Sequence, residues 1–278
     1  AINSLGVRGD DAAAPLMADA LAAGIKAKDE ELVDAAAWGL GQLGGDQAVA
    51  ALRGAIKSET ATVRNAAALG LVLAAEDLLA AGKADEAAKL YDEARAAEVP
   101  QQRKLEATRG AILARGEAGI PLLVEQLRSD DKKFLQLGLS VARELDNEVR
   151  VDLPRKLTLG ELVEMALVEE LRSAPADRTP LLIYAIADRK GSIDAPEILQ
   201  AAIDGDDSIQ LAAIKVLARA RGEGHHIDAL LQAAADKNEE VSLAAATALA
   251  DMKGERINAH LVELLPAAQG KQLAVLLN

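Results

Sequence analysis

Along residues 209–222, IQLAAIKVLARARG, the apolar residues Ile209, Ala213, Val216, Leu217 and Ala220 recur three and four apart, with Gln210, Lys215, Arg219 and Arg221 elsewhere around the helix. That period predicts one apolar stripe on a helix, and Gly222 supplies its stop. Similar runs stand at 32–44 (LVDAAAWGLGQLG), 63–74 (VRNAAALGLVLA), 105–116 (LEATRGAILARG), 135–146 (LQLGLSVARELD) and 241–254 (VSLAAATALADMKG). The chain therefore reads as a helical repeat.

With Leu217 as the reference near the end of the second helix of a repeat, its counterparts are Leu5, Leu40, Leu71, Leu113, Val141, Ile186 and Leu249. Most steps are about thirty residues and two are a little over forty, the range of two-helix solenoid repeats. First helices are expected at 10–23 and 46–57, and Pro15, Pro121 and Pro196 mark first-helix starts, where a missing N–H removes no intrahelical bond. The turns between first and second helices carry Asp29, Ser58, Ser129 to Asp131 and Asp206 to Ser208, whose side chains are expected to accept from the N–H groups opening the second helices. These acids read as caps and not as catalysts.

Two stretches depart from the pattern. Residues 80–100, AAGKADEAAKLYDEARAAEVP, are similar to the second half of a tetratricopeptide repeat at Gly82, Ala87, Tyr91, Ala94 and Pro100, which implies an embedded variant hairpin. Residues 146–160, DNEVRVDLPRKLTLG, contain Pro154, β-branched residues and no helical period, and predict an inserted loop before a helix at 161–172. Helices are expected next at 177–190, 194–204, 226–235, 238–252 and 255–269, with the final run KQLAVLLN cut short. The array starts at the end of one second helix and stops inside another with no polar cap, so residues 1–278 are expected to be a single array from a longer protein.

Composition sharpens this. Half the residues are apolar but only 1% are aromatic, so the core must be thin and made by close approach of Ala-lined helices. A net charge of -13 repels phosphate backbones and anionic lipid, which argues against nucleic-acid and membrane-surface partners unless a local basic patch overrides it. No cysteine is present, which excludes disulfides, thiol catalysis and Cys-ligated zinc. No run suits a membrane span or a signal peptide, and both cytoplasmic and exported settings stay open.

First helices with an early Pro, Asp-bearing turns and second helices of the form V-x-x-A-A-x-x-L-A-x-x-G resemble HEAT repeats, especially the short Ala-rich bacterial kind called HEAT-like or PBS-lyase-type. The resemblance implies an all-α, right-handed α-solenoid, a superhelix of antiparallel helix pairs as in HEAT and armadillo proteins. It further implies a binding scaffold for a protein, or for another domain of the same chain. Some relatives attach bilins or excise damaged DNA bases, and no residue here matches a motif for either activity. A non-catalytic scaffold is therefore the expectation; an enzyme of those types and a structural spacer are the alternatives. No cofactor is expected.

Other candidates are weak. His225 and His226 point to different sides, and His260 with Glu263 lacks further ligands, so surface solvation is expected and no metal site. Arg8-Gly9-Asp10 reads as a turn with an N-cap acid. More informative is the column two residues before and after the reference: Trp38/Gln42, Leu69/Leu73, Ala111/Arg115, Leu139/Arg143, Tyr184/Asp188, Lys215/Arg219 and Thr247/Asp251. Neighbouring columns are monotonously small or aliphatic, whereas this one varies and offers residue types favoured at binding hot spots. Trp38, Leu69, Arg115, Arg143, Tyr184, Lys215 and Arg219 are the expected protein-binding residues of a concave groove. The alternative is that Trp38 and Tyr184 fill gaps between repeats and the charges are simply solvated.

Overall fold

The computed structural model describes residues 13–145, 157–189, 195–219, 224–252 and 255–277. These residues form α-helices and turns, and they cluster into two compact units, Ala1–Val141 and Ala142–Asn278. The motif Arg8-Gly9-Asp10 and the reference residue Leu5 lie outside the described residues.

Unit 1 contains α1 (Ala14–Ala27), α2 (Glu30–Leu43), α3 (Gly45–Ala55), α4 (Ala61–Ala80), α5 (Ala84–Ala96), α6 (Gln101–Arg115) and α7 (Ile120–Leu127). The division from unit 2 falls within α8 (Lys132–Glu144). Odd-numbered helices are the first and even-numbered the second members of antiparallel pairs. The second helices α2, α4 and α6 stack on one another, and α1 packs on α3. Leu40 and Leu71 are fully buried in the resulting core, each worth roughly 2–3 kcal/mol of transfer free energy.

Unit 2 continues with α9 (Leu159–Leu171), α10 (Thr179–Ala187), α11 (Pro196–Asp204), α12 (Asp207–Leu217), α13 (Gly224–Ala233), α14 (Glu239–Asp251), α15 (Glu255–Leu264) and α16 (Gly270–Leu277). Here α10, α12 and α14 stack, and α11 packs on α13. Ile186, Leu217 and Leu249 are buried at the reference position, as is Val141 in unit 1. Each unit is thus an all-α stack of helix pairs, the architecture of an α-solenoid.

The expected prolines fall where predicted: Pro15, Pro121 and Pro196 each occupy the first turn of a first helix. Asp29 caps α2 by accepting from the Leu32 N–H at 3.0 Å, and Asp131 accepts from the Lys133 N–H at 2.9 Å. Asp206 makes no such cap bond. Its neighbour Asp207 instead accepts from the Asn238 amide at 2.6 Å, and Asn238 itself caps α14 through the Glu240 N–H at 2.9 Å. An unexpected polar seam runs from turn to turn in both units. Arg64 donates to the carbonyls of Ser58, Glu59 and Glu98, and Gln101 reaches Asp131. In unit 2, Gln210 donates to Ile203 O at 2.9 Å and Asp236 at 3.1 Å, and Lys271 donates to Asp236 O at 2.7 Å.

Two polar side chains expected outside, Gln210 and His226, are inside, and Arg189 is buried as well. Gln210, 3% exposed, turns inward because the free carbonyls ending α11 accept its amide hydrogens. His226 is 2% exposed and packs edge-on against the exposed His225 at 4.5 Å. Arg189 is also buried, donating to the carbonyls of Ala142, Leu145 and Gly160.

The stretch 80–100 contains the end of α4, a turn and one helix, α5, which pairs with α6 as a first helix. The long step in sequence reflects α4, whose 20 residues outrun the other second helices. In the stretch 146–160, residues 146–156 lie outside the described residues; Thr158 opens α9 with a capping box to Glu161.

Candidate protein-interaction surface

The expected binding column lies on the second helices, and the packing of those helices decides how far each residue projects. In unit 1, α2 and α4 cross with their backbones in contact. A Cβ on Gly41 would stand 2.7 Å from Gly70 O, and one on Gly70 would stand 2.6 Å from Ala37 O. Only glycine permits that approach. Trp38 and Leu69, on these two helices, are half-buried, as are their partners in the column, Gln42 and Leu73. On α6, Ala111 is fully buried while Arg115 is half-buried, donating to Ala111 O at 3.0 Å and pairing with Asp92 on α5. Leu139, in the same column on α8, is buried.

In unit 2 the column opens outward. Tyr184 on α10 is half-buried, whereas Asp188, Lys215, Arg219, Thr247 and Asp251 are exposed. Arg143 donates to Asp188 at 2.8 Å, and Arg219 approaches the same carboxylate at 3.8 Å. The Lys215 ammonium stands 6.0 Å from the centroid of the Tyr184 ring, the outer limit of a cation–π contact. Four of the seven expected residues, Arg143, Tyr184, Lys215 and Arg219, thus form one neighbourhood around Asp188. In unit 1, Trp38 and Leu69 lie on stacked helices, and Arg115 engages α5.

One residue of this face went unnoticed in the sequence. Leu243 on α14 is 70% exposed, the most exposed large apolar side chain among the described residues. It precedes Thr247 by one helical turn, and the Thr247 hydroxyl bonds back to Leu243 O at 2.8 Å. An apolar residue four positions ahead of a column residue is the signal that would have found it.

The hollows of unit 1 lie elsewhere. One of about 330 Å³ and one of about 490 Å³ flank the bidentate Arg53–Glu93 ion pair between α3 and α5. Their walls come mostly from the first helices α3 and α5, with Leu78 of α4 lining the smaller one, and none of the column residues takes part. Titration anomalies are likewise dispersed. Burial, reinforced by Glu76, pushes the Tyr91 hydroxyl up to about 12. The Asn238 N–H and the Gln210 amide hold Asp236 below the usual carboxylate range. His260 sits 3.0 Å from Asp228 and 3.9 Å from Glu263, and among the described residues no group of three or more His, Asp or Glu is placed to hold a metal ion. No described helix is long and apolar enough to cross a membrane.

Stacked helix pairs with a repeating buried position define a helical-repeat protein. The sequence profile of HEAT repeats matches residues 1–72 and 195–274, more than half of the chain. The chain belongs to the HEAT repeat family. No curated protein sequence matches it. Among solved structures it is similar to a chain in the structure of Kap95p binding to RanGDP, with 12% identity and a TM-score of 0.46. That similarity covers 99% of this chain and 46% of the other, so this chain spans less than half of its length.

Proposed function

We propose that the chain is a non-catalytic interaction scaffold whose second helices present a binding face to another protein or to another domain of its own polypeptide. The observation carrying this reading is the assembly around Asp188, where Arg143, Arg219, Lys215 and Tyr184 come from three successive second helices onto one exposed face. Arg and Tyr are enriched at binding hot spots, and a surface composed across helices grows with each added pair. The titration shifts of Tyr91 and Asp236 trace to packing and structural hydrogen bonds on separate elements, which supports a scaffold over a convergent active centre. The same reading places the chain among the short, Ala-rich HEAT-like proteins and takes neither nucleic acid nor membrane as its partner.

Panning a random phage-displayed peptide library on the immobilised chain tests it. The scaffold reading expects enriched peptides that are lost on Arg115→Glu, Arg143→Glu or Lys215→Glu. Those peptides should be retained on Leu16→Asp and Lys89→Glu, both exposed on first helices. Absence of any enriched peptide, or equal loss on both sets of variants, would overturn it.

A further inference from the structure

We propose that unit 1 holds a small-molecule site for an N-acylated amino acid with an apolar side chain, in a third hollow separate from the two beside Arg53. This hollow, about 390 Å³, is walled by Arg95 from the end of α5, Lys104 and Thr108 from α6, Glu125 and Gln126 from the end of α7, and Phe134 from the first turn of α8. The starts of α6 and α8 are tied together by Gln101, whose amide donates to Asp131. Its size falls in the range of sites that enclose small molecules, ~300–1,000 Å³.

Two of these side chains are buried polar groups with bonding capacity left over. Thr108 is 3% exposed, and its hydroxyl has no hydrogen-bond partner among the described residues. Gln126 is 4% exposed; its amide donates to Leu122 O at 3.1 Å, and its Oε1 accepts nothing from the described residues. Neither oxygen is sealed from solvent-accessible space, and the hollow supplies that space. A buried hydroxyl is normally bonded, because its desolvation is otherwise uncompensated. A helical threonine ordinarily turns it to the carbonyl four residues back, as Thr247 does.

The charges point to an anion. Arg95 gives its Nε to Asp92 at 2.9 Å, and Asp92 is shared with Arg115, so the terminal guanidinium nitrogens of Arg95 remain available. Lys104, half-buried, forms no ion pair with the described residues. Two cations thus face one acid, the exposed Glu125, which disfavours a second carboxylate on the ligand. A single carboxylate answers Arg95, Lys104 and the Thr108 hydroxyl, and an amide N–H answers Gln126 Oε1. An apolar side chain answers Phe134, the sole phenylalanine, which is half-buried. An acylated amino acid carries these three groups on one carbon.

N-acetyl-para-fluorophenylalanine has all three groups and a fluorine for nuclear magnetic resonance. Its fluorine line should shift saturably on titration with the full chain, and in the isotope-labelled chain the amides of Thr108, Gln126 and Phe134 should move with it. The carboxamide form of the same probe should bind about ten-fold more weakly. Lys104→Gln and Thr108→Val should each weaken the acid about five-fold. Thr108→Val should do so with an undiminished melting temperature, because the lost hydroxyl holds nothing in the protein. Equal binding of acid and carboxamide, indifference to both variants, or movement of amides elsewhere would overturn the assignment. Inorganic phosphate displacing the probe at equal concentration would also overturn it, leaving a plain anion site. A tripeptide ending in the same fluorinated residue and binding about ten-fold more tightly would overturn it in favour of a partner's chain end. These residues take no part in the face around Asp188, so each of these results leaves the scaffold reading standing.

Discussion

The two units use the same repeat and pack it differently. The second helices of unit 1 carry Gly39, Gly41, Gly70, Gly110 and Gly138, whereas α10, α12 and α14 of unit 2 carry none. Where unit 1 has Gly70 just before the reference residue, unit 2 has Ala185, Val216 and Ala248. Glycine lets α2 and α4 touch backbone to backbone, and the column residues Trp38 and Leu69 on these helices are half-buried. With a side chain at every position of α10, α12 and α14, unit 2 exposes Asp188, Lys215, Arg219, Thr247 and Asp251 while Arg143 and Tyr184 stay half-buried, and Arg143 and Arg219 meet at Asp188. The lesson is that one column of a repeat can serve packing in one place and recognition in another, and that a neighbouring column decides which.

The strongest way to break this contrast is to remove the close approach. Gly70→Val places atoms against Ala37 O and Leu52 and is expected to cost unit 1 about 3 kcal/mol. Trp38, the sole tryptophan, lies in unit 1, so its fluorescence in a urea titration reports that unit directly. In unit 2, Arg189→Met strands the carbonyls of Ala142, Leu145 and Gly160 and should cost about 2–3 kcal/mol, seen in far-ultraviolet circular dichroism while the Trp38 transition stays put. Asn238→Ala removes the α14 cap for about 1 kcal/mol, measured by amide hydrogen exchange across 238–245.

Acid and base should separate the units further. The raised hydroxyl of Tyr91 contributes stability that is full below its ordinary value of 10.0 and is lost as pH climbs through about 12. Alkaline quenching or release of Trp38 fluorescence should therefore shift to higher pH in Tyr91→Phe. Asp236 works in the opposite sense: its lowered folded value gives unit 2 stability above 3.8 that disappears as pH falls through that lower value. The smallest effect is expected from Arg219→Glu, an exposed site, with thermal stability changed by no more than about 0.5 kcal/mol.

Much of the repeat was legible because apolar period and burial coincide. Leu40, Leu71, Val141, Ile186, Leu217 and Leu249 were aligned from sequence and all are buried, though Leu113 in the same column is half-buried. The contact among Arg143, Asp188 and Arg219 also follows from column arithmetic, since equal offsets on stacked helices become neighbours. What escaped depends on partners distant in sequence. Arg189 is buried by carbonyls up to 47 residues away, and Gln210 by a turn that ends a different helix. No local pattern announces such burial. The longer step at 71–113 holds α4, which runs past its siblings, and α5, which takes the place of a first helix paired with α6.

The turn-to-turn seam gives each unit the mechanics of a bound book. Along the turns, directional links such as Gln210 to Asp236 and Asn238 to Asp207 act as stitching that fixes the spacing of successive pages. Across the width of the helices, contact is mostly between aliphatic side chains, which can slide without losing a partner. Compliance is then unevenly shared: the stitched edge holds its pitch through fixed hydrogen bonds, while the far ends of the second helices in unit 2 are tied by ion pairs at Asp188, which tolerate sliding better.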